Sequence, residues 1–306
     1  LCGWVSHHRV QGKVGFIMLR DKYGTTQIFV NPALTKHVGE IRRESVIQVK
    51  GLVKKRPENQ IRRELSTGEI EVSAEDITIL SPAEPLPLEI DEHIESHEET
   101  RLKYRYLDLR RPNMQKNLLL RHKAIQFIRD YLDNKQFVEV NTPILTKSSP
   151  EGARDYLVPS RLHKGSFYAL PQSPQQYKQL LMVGGVDKYY QVAPCFRDED
   201  ARAHRAPGEF YQLDMEMSFV SQEDIITLVE DMMTKLIQKV FPDKKIMQIP
   251  FPRLSYEEAM KKYKNDSPDI RKDKEDKNEL AFCWVVDFPL FTKQSEEDFF
   301  HGAGQE

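Results

Sequence analysis

Phe210-Tyr-Gln-Leu-Asp-Met-Glu-Met-Ser-Phe219 alternates with period two: Tyr211, Leu213, Met215, Met217 and Phe219 fall on one side, Gln212, Asp214, Glu216 and Ser218 on the other. Successive side chains of a strand point to opposite faces, so the segment predicts a strand with one apolar and one acidic face. Its partner is Tyr189–Phe196, joined to it through the charged run 197–209. If strand geometry continues past Phe196, Arg197 and Glu199 share the face of Gln212, Asp214 and Glu216. Burying such a face unused is costly for every unpaired charge, whereas a polar face turned to water is the commoner fate of an antiparallel sheet. Helical periodicity flanks the pair. Residues 113–134 place Leu118, Ile125, Ile128 and Leu132 on one side, and 222–240 place Ile226, Val229, Met233 and Ile237 on one side before Pro242 closes the helix. Antiparallel strands with helices read as α+β. Phe137–Leu145 reads as a strand interrupted by Pro143, which belongs at a sheet edge or an interface because proline lacks a ladder donor.

Between these elements lies Gln172-Ser-Pro-Gln-Gln-Tyr-Lys178. Ser173 is a natural N-cap, Pro174 suits the first helical position, and Ser173 with Gln176 matches a capping box. Gln175 and Lys178 then share a helical face at the positive helix end. A lysine there is mildly unfavourable for the helix, but with the free backbone N–H groups it forms a ready site for a small carboxylate. An exposed lysine of no consequence fits the spacing equally well. Pro150-Glu151-Gly-Ala-Arg-Asp155 is a charged loop whose composition is that of an ordinary turn. The histidines show no H-x-x-x-H or H-E-x-x-H spacing, which leaves no metal site to be read from them.

Upstream, residues 1–80 contain five short runs of strand character, Cys2–Val5, Gly15–Arg20, Thr26–Val30, Val46–Val53 and Ile70–Leu80, separated by turn residues. Five such strands predict a small closed Greek-key barrel. One wall would carry Arg9, Phe16, Gln27 and Lys54, the cations, ring and amide of a single-stranded nucleic-acid platform, although the pattern fits many unrelated barrels. The formal net charge of −2 hides this: residues 1–63 hold 13 Lys and Arg against 4 Asp and Glu, and residues 64–100 hold 12 acids and no Lys or Arg. The basic stretch is the barrel; the acidic one, with Pro82, Pro85 and Pro87, reads mostly as linker. The expected organisation is a barrel at 1–82, a linker or hinge at 83–112 and a second domain at 113–306.

No apolar run in the 306 residues approaches a membrane span, and three distant cysteines without C-x-x-C spacing argue against a disulfide framework or a cysteine zinc site. A cytoplasmic protein without membrane association is expected.

Phe196-Arg-Asp-Glu199 followed by a charged loop and Phe210, with the Pro143 strand, resembles motifs 2 and 1 of the class II aminoacyl-tRNA synthetases. The runs 101–112, 150–160, 172–181 and 195–200 are similar to the bacterial-type aspartyl-tRNA synthetases, and Cys2-Gly-Trp-Val5 with Leu19-Arg-Asp21 resembles the start of their anticodon-binding OB barrel. The resemblance covers almost the whole chain.

That resemblance implies a ligase that activates L-aspartate with ATP to aspartyl-adenylate and passes it to tRNA(Asp), or also to tRNA(Asn). It implies Arg197 on the α-phosphate and the substrate carboxylate, Asp198 and Glu199 in the same ATP segment, and Phe210 stacked on adenine. Ser173, Gln175 and Lys178 would hold aspartate, Lys178 by its side-chain carboxylate, with Glu151 and Asp214 facing its ammonium group. Gln212 and Glu216 would contribute on the same face. Arg9, Phe16, Gln27 and Glu71 match anticodon contacts, Pro143 marks a homodimer interface, and Mg²⁺ accompanies ATP with its principal acidic ligand expected beyond Glu306.

The chain also departs from that pattern. Ala206-Pro-Gly208 stands where an ATP-contacting glutamine is more usual, Val10 replaces a frequent acid, and the bacterial insertion domain is missing between Arg271 and Trp284. The Gly-rich motif 3 and its arginine do not appear before Glu306. These features read as a fragment clipped at both ends and catalytically crippled alone. The competing reading is a non-catalytic tRNA-binding paralogue.

Overall fold

The structure is a computed structural model that describes residues 1–91, 94, 96–149, 151–199 and 208–291. It divides into two compact units, Leu1–Lys116 and Asn117–Glu306.

In the first unit, strands β1 (Cys2–Gln11), β2 (Val14–Arg20) and β3 (Thr25–Val30), a single turn α1 (Thr35–Val38), and strands β4 (Val46–Lys55) and β5 (Ile70–Ser81) follow in order. The strands close into a barrel in the order β1-β2-β3-β5-β4, with β3 and β5 parallel and the other pairs antiparallel. Inward positions carry Val5, Ile17, Ile28, Val30 and Ile47, all fully buried, and α1 plugs the core with Val38. β1 runs six residues further than its apolar start at Cys2–Val5 suggested. A register shift between Val5 and His7 carries the strand on through His7-His-Arg9, whose polarity masks it in the sequence.

The stretch expected as plain linker has structure. Helices α2 (Glu98–Lys103) and α3 (Arg105–Asp108) follow, and Leu88, Ile90 and Leu107 are buried against Leu86 and Tyr104 in a cluster of their own. α4 (Pro112–Asn134) starts on proline, as the first helical position favours.

In the second unit, β6 (Val138–Glu139), β7 (Leu157–Pro159), β8 (Phe167–Ala169), α5 (Gln175–Val183), β9 (Lys188–Phe196), β10 (Glu209–Met217), α6 (Gln222–Val240) and α7 (Tyr256–Tyr263) follow. β10 pairs antiparallel with β9 along its length, and β6 lies parallel at the other edge of β9. The apolar face of β10 behaves as the alternation predicts: Leu213, Met215 and Met217 pack on a core of Tyr131, Leu132, Phe137, Tyr190 and Met232. α6 has the expected bounds and is capped by Ser221 and Asp224 in a reciprocal capping box.

Two expectations fail here. The strand expected over Phe137–Leu145 is two residues long. Pro143 lies past its end, exposed and outside any ladder, because the backbone leaves β9 after Val140 N–H donates to Tyr190 O. On α4, Leu118 is half exposed with Leu119, while Leu132 is fully buried, so the core takes the C-terminal half of the helix.

Candidate functional site

The register of β9 and β10 sets Tyr189 opposite Glu216, Gln191 opposite Asp214, Ala193 opposite Gln212 and Cys195 opposite Phe210. These side chains form the face turned away from the apolar core, yet Tyr189, Gln191, Ala193 and Cys195 are buried. The polar face is therefore covered rather than open to water.

α5 brings the cation. Lys178 Nζ lies 2.8 Å from Asp214 Oδ1 and 3.2 Å from Glu216 Oε2, with the lysine and Asp214 side chains about nine-tenths buried, at 12% and 11% exposure. Burial by itself would depress the lysine, but the hydrogen bonds and charges of Asp214 and Glu216 outweigh it and hold its pKa above the usual value. The second carboxylate oxygen, Asp214 Oδ2, is buried without a hydrogen-bond partner among the described residues. Tyr189 donates to Gln191 Oε1 at 2.8 Å, and its hydroxyl pKa is pushed up by burial and by the Asp214 charge. Burial likewise raises the Cys195 thiol to about 11, leaving it a protonated donor to Gln212 Oε1 at 3.3 Å.

The start of α5 differs from the expected capping box. The helix begins at Gln175, Pro174 is the N-cap residue and no side chain caps it. The Ser173 hydroxyl instead donates to Glu151 Oε2, while accepting from Gln175 N–H at 3.3 Å. The hydroxyl hydrogen goes to a charged acceptor that the 151–155 loop supplies, and the oxygen meets the N–H of the first helical residue instead of the third. Gln175 and Lys178 share the first turn as expected, with Gln175 exposed.

Sequence reasoning gave no role to Gln172. It is 1% exposed, its Oε1 accepts from Ala153 N–H at 3.0 Å, and its Nε2 donates to Ala153 O at 2.9 Å and to Asp155 Oδ1. This side chain ties the Glu151 loop to the entrance of α5. Its position one residue before Ser173-Pro174 was the available signal.

At the far end of the sheet, β9 stops at Phe196, but Arg197 N–H still donates to Gly208 O at 2.7 Å, carrying the ladder one residue on. Arg197 lies over the Phe210 ring at 5.1 Å. Gly208 is required there, since a Cβ would sit 2.6 Å from Arg197 O. Asp198 donates its N–H to Arg154 O, and Arg154 Nε donates to Asp198 O, both at 2.9 Å. Asp198 and Glu199 are exposed past the strand end, so Glu199 does not join the sheet face as strand geometry suggested. The departure at Ala206 and Pro207 lies outside the described residues.

In the first unit, the outward face of the barrel gathers the four expected residues into two pairs. Arg9 stacks over Phe16 at 5.0 Å, and Phe16 meets Phe29 edge-on at 5.8 Å. Gln27 Nε2 donates to Glu71 Oε2 at 2.9 Å. Lys54 is the register partner of Glu71. The structure adds Arg56, 4% exposed, whose Nε and Nη2 have no partner among the described residues and whose charge lies within reach of Glu71. A ring with a cation over it, an amide and a carboxylate can stack and hydrogen-bond unpaired bases.

Comparisons with known proteins agree with both regions. Residues 1–80 match an OB-fold nucleic acid binding domain of the tRNA anticodon type. The aspartate–tRNA(Asp/Asn) ligase of Syntrophomonas wolfei is 55% identical over 275 residues, 89% of this chain and 46% of the relative, and that of Rickettsia bellii is 54% identical over 274 residues, 45% of its length. The chain thus spans about half the length of the curated relatives it matches. Among solved structures, the asparaginyl-tRNA synthetase of Pyrococcus horikoshii complexed with asparaginyl-adenylate superposes with a TM-score of 0.73 at 25% identity, over 89% of this chain and 64% of that one. The aspartyl-tRNA synthetase of Entamoeba histolytica gives 0.68 at 25% identity, over 85% and 58%. An OB barrel followed by an α+β domain whose residues 97–303 match the class II (D, K and N) tRNA synthetases places the chain in that family.

Proposed function

We propose that this chain carries the anticodon-binding region and much of the amino-acid-activating region of an aspartate–tRNA ligase. The observation that supports it best is the buried Lys178 ammonium held against Asp214 beside an unpartnered Asp214 oxygen. A zwitterionic amino acid with a side-chain carboxylate complements that pair: its carboxylate takes Lys178, and its ammonium takes Asp214 Oδ2 and the Glu151 carboxylate that Ser173 orients. An amide side chain would offer Lys178 a neutral acceptor in place of a carboxylate and forgo the charge-assisted hydrogen bond, which disfavours asparagine. Gln175, exposed on the same helical turn, closes the contact with the substrate backbone.

Activation then needs the substrate α-carboxylate to meet the α-phosphate of ATP in line, so that pyrophosphate leaves and aspartyl-adenylate forms. Arg197 is the cation at that end of the face, and it neutralises charge as the phosphorus becomes pentacoordinate. Its present seat on Phe210, at 5.1 Å, leaves no layer for a base between them, so adenine stacks on the ring only as Arg197 swings to the phosphate. Asp198 and Glu199 line the same edge. Positioning and electrostatics supply the acceleration, and no general base is required. No group of three or more His, Cys, Asp or Glu placed to hold a metal is found among the described residues; the Mg²⁺ expected with ATP would be held mainly by the phosphates, and no step is routed through it.

Arg9, Phe16, Gln27 and Glu71 read the anticodon by stacking and hydrogen bonding. The half-exposed Ile144 and Leu145 next to Pro143 support homodimerisation. The three cysteines are free thiols and no described helix is long and apolar enough to cross a membrane, which supports a cytoplasmic enzyme of translation.

Calorimetry of a non-hydrolysable aspartyl-adenylate analogue against the 306-residue chain tests the site. Binding that is abolished by Lys178→Met and at least tenfold weaker for the asparaginyl analogue is expected. Equal affinity for both analogues, or an unaffected K178M variant, overturns the assignment. Filter binding of aspartate and asparagine tRNA transcripts tests the barrel and separates strict from relaxed tRNA choice.

A further inference from the structure

Glu151, the second carboxylate offered to the substrate ammonium, stands on a loop and not on the sheet, so its aim depends on what holds that loop. Beyond burial, the charges of Asp214 and Glu151 both push the Cys195 thiol up, which sets the two carboxylates about one stretch of the sheet face. Two hydroxyls aim the Glu151 carboxylate: Ser149 Oγ donates to Oε1 at 3.1 Å, and Ser173 Oγ donates to Oε2. A carboxylate has about four acceptor positions, so both oxygens keep room for an ammonium group. Gly152, at φ +96°, turns the chain immediately afterwards.

The loop itself is held by Gln172. Its amide exchanges two hydrogen bonds with Ala153, accepting the N–H at 3.0 Å and donating to the carbonyl at 2.9 Å, the pair that two opposed strand residues would share. The same Nε2 donates to Asp155 Oδ1 and lies 3.5 Å from Ser149 O. Its partners therefore flank Glu151 on both sides in the chain. Asp155 also accepts from Ser148 Oγ, which closes the loop on itself. Gln172 is in turn anchored, because the carbonyl of Pro171 before it accepts from Phe196 N–H at the end of β9 at 2.9 Å. Only a side chain with both an acceptor and a donor at its tip makes this set of bonds.

We propose that Gln172 is a positioning residue for amino-acid recognition: it holds the 151–155 loop so that the Glu151 carboxylate meets the α-ammonium group of the substrate. The proposal rests on the aspartate reading of the Lys178 pocket. Gln172 acts on the ammonium group alone, since Lys178 is carried by α5 and keeps the substrate's side-chain carboxylate whether or not the loop is held. About 1 Å of drift in the loop is enough to lose an aligned charged contact.

Calorimetry on the 306-residue chain tests this with the non-hydrolysable aspartyl-adenylate analogue and its succinyl counterpart, which lacks only the α-ammonium group. Gln172→Leu is expected to weaken the aspartyl analogue about tenfold and the succinyl analogue by less than about twofold. Glu151→Gln weakens the aspartyl analogue about as much, and the E151Q/Q172L double variant loses no more than E151Q alone, because both changes remove one contact. The preference for the aspartyl over the asparaginyl analogue is unchanged in Q172L. Gln172→Met, closer in length to glutamine, takes the place of Q172L if the latter does not fold, with the same outcomes. An unaltered aspartyl affinity overturns the positioning role. So does equal weakening of the aspartyl and succinyl analogues, or losses that add in the double variant, either of which marks a residue that only supports the fold. A wild-type chain that binds neither analogue defeats the aspartate reading and the proposal with it, whereas any of these failures beside firm wild-type binding defeats the proposal alone.

Discussion

The two units solve opposite problems with the same element. In the barrel the core is apolar, and of the groups with chemistry Arg9, Phe16 and Glu71 stand on the outer wall while Gln27 is buried with its amide on Glu71. In the second unit, both sides of β9 and β10 are covered: one on an apolar core, the other on Lys178, Asp214, Gln191 and Cys195. The barrel can lose an exposed wall residue such as Arg9 at little cost to its stability, whereas the sheet face of the second unit carries function and stability in the same atoms. A covered polar face is stable only while every charge has its partner.

The comparison breaks most visibly in the barrel core. Ile28→Ala removes a fully buried side chain at a position paired to both neighbours and is expected to cost about 4 kcal/mol. Denaturant unfolding followed by exchange at Ile17 and at Tyr190 should show the first unit lost and the second retained. Loss of both together would mean that the units are one cooperative body. Lys178→Met is next, at about 3 kcal/mol, because Asp214 is left buried with no counter-charge. If the variant unfolds at the wild-type denaturant midpoint, the polar face is wetter than its burial implies.

Gln172→Leu is expected to cost about 2 kcal/mol by stranding Asp155 and the Ala153 N–H. Proteolysis after Arg154 should accelerate with it, and an unaltered rate would count against the tie.

The two units should also differ in their pH limits. Asp108, though burial opposes its ionisation, is held below the usual carboxylate value by Arg101, Arg105 and Arg111. Its contribution is present above the unfolded value near 3.8 and is lost as pH falls through the lowered folded value. Lys178 runs the other way: its folded pKa lies above 10.5, so its contribution is complete below that pH and is lost as pH rises through the folded value. Thermal melts of Asp108→Asn should therefore flatten the acid limb alone, and K178M the alkaline limb alone. The smallest stability effect belongs to Phe16→Leu, within about 0.5 kcal/mol on the exposed barrel wall, while stem–loop affinity falls by about 1 to 3 kcal/mol if a base stacks on that ring. Melting and filter binding on the same preparation separate the two.

Much of this was legible because it depends on short-range pattern. The alternation assigned faces to β10 from Gln212 to Met217, while Phe219, expected on the apolar face, lies past the strand end and is exposed, and the helix at 222–240 had its bounds and its stop in sequence. Ser173 does not cap α5 because the helix starts at Gln175, one residue later than the Ser-Pro pattern predicts, and its hydroxyl hydrogen goes to Glu151, twenty-two residues away. Apolar residues continue through Pro143 to Leu145, whereas pairing with β9 ends before them. Gln172 has only its place before Ser173-Pro174 as a local sign, since its partners Ala153 and Asp155 lie at long range.

The sequence by itself determined the period of each strand and helix, the basic character of the barrel and the family to which its motifs belong, all of which are written in neighbouring residues. Tertiary structure decided which polar groups are buried and whom they meet: Lys178 with Asp214, Gln172 with the 151–155 loop, Glu44 with Arg20 and Arg110. Burial and pairing are properties of packed surfaces, and they fix whether a charge is a solvated ornament or a working group.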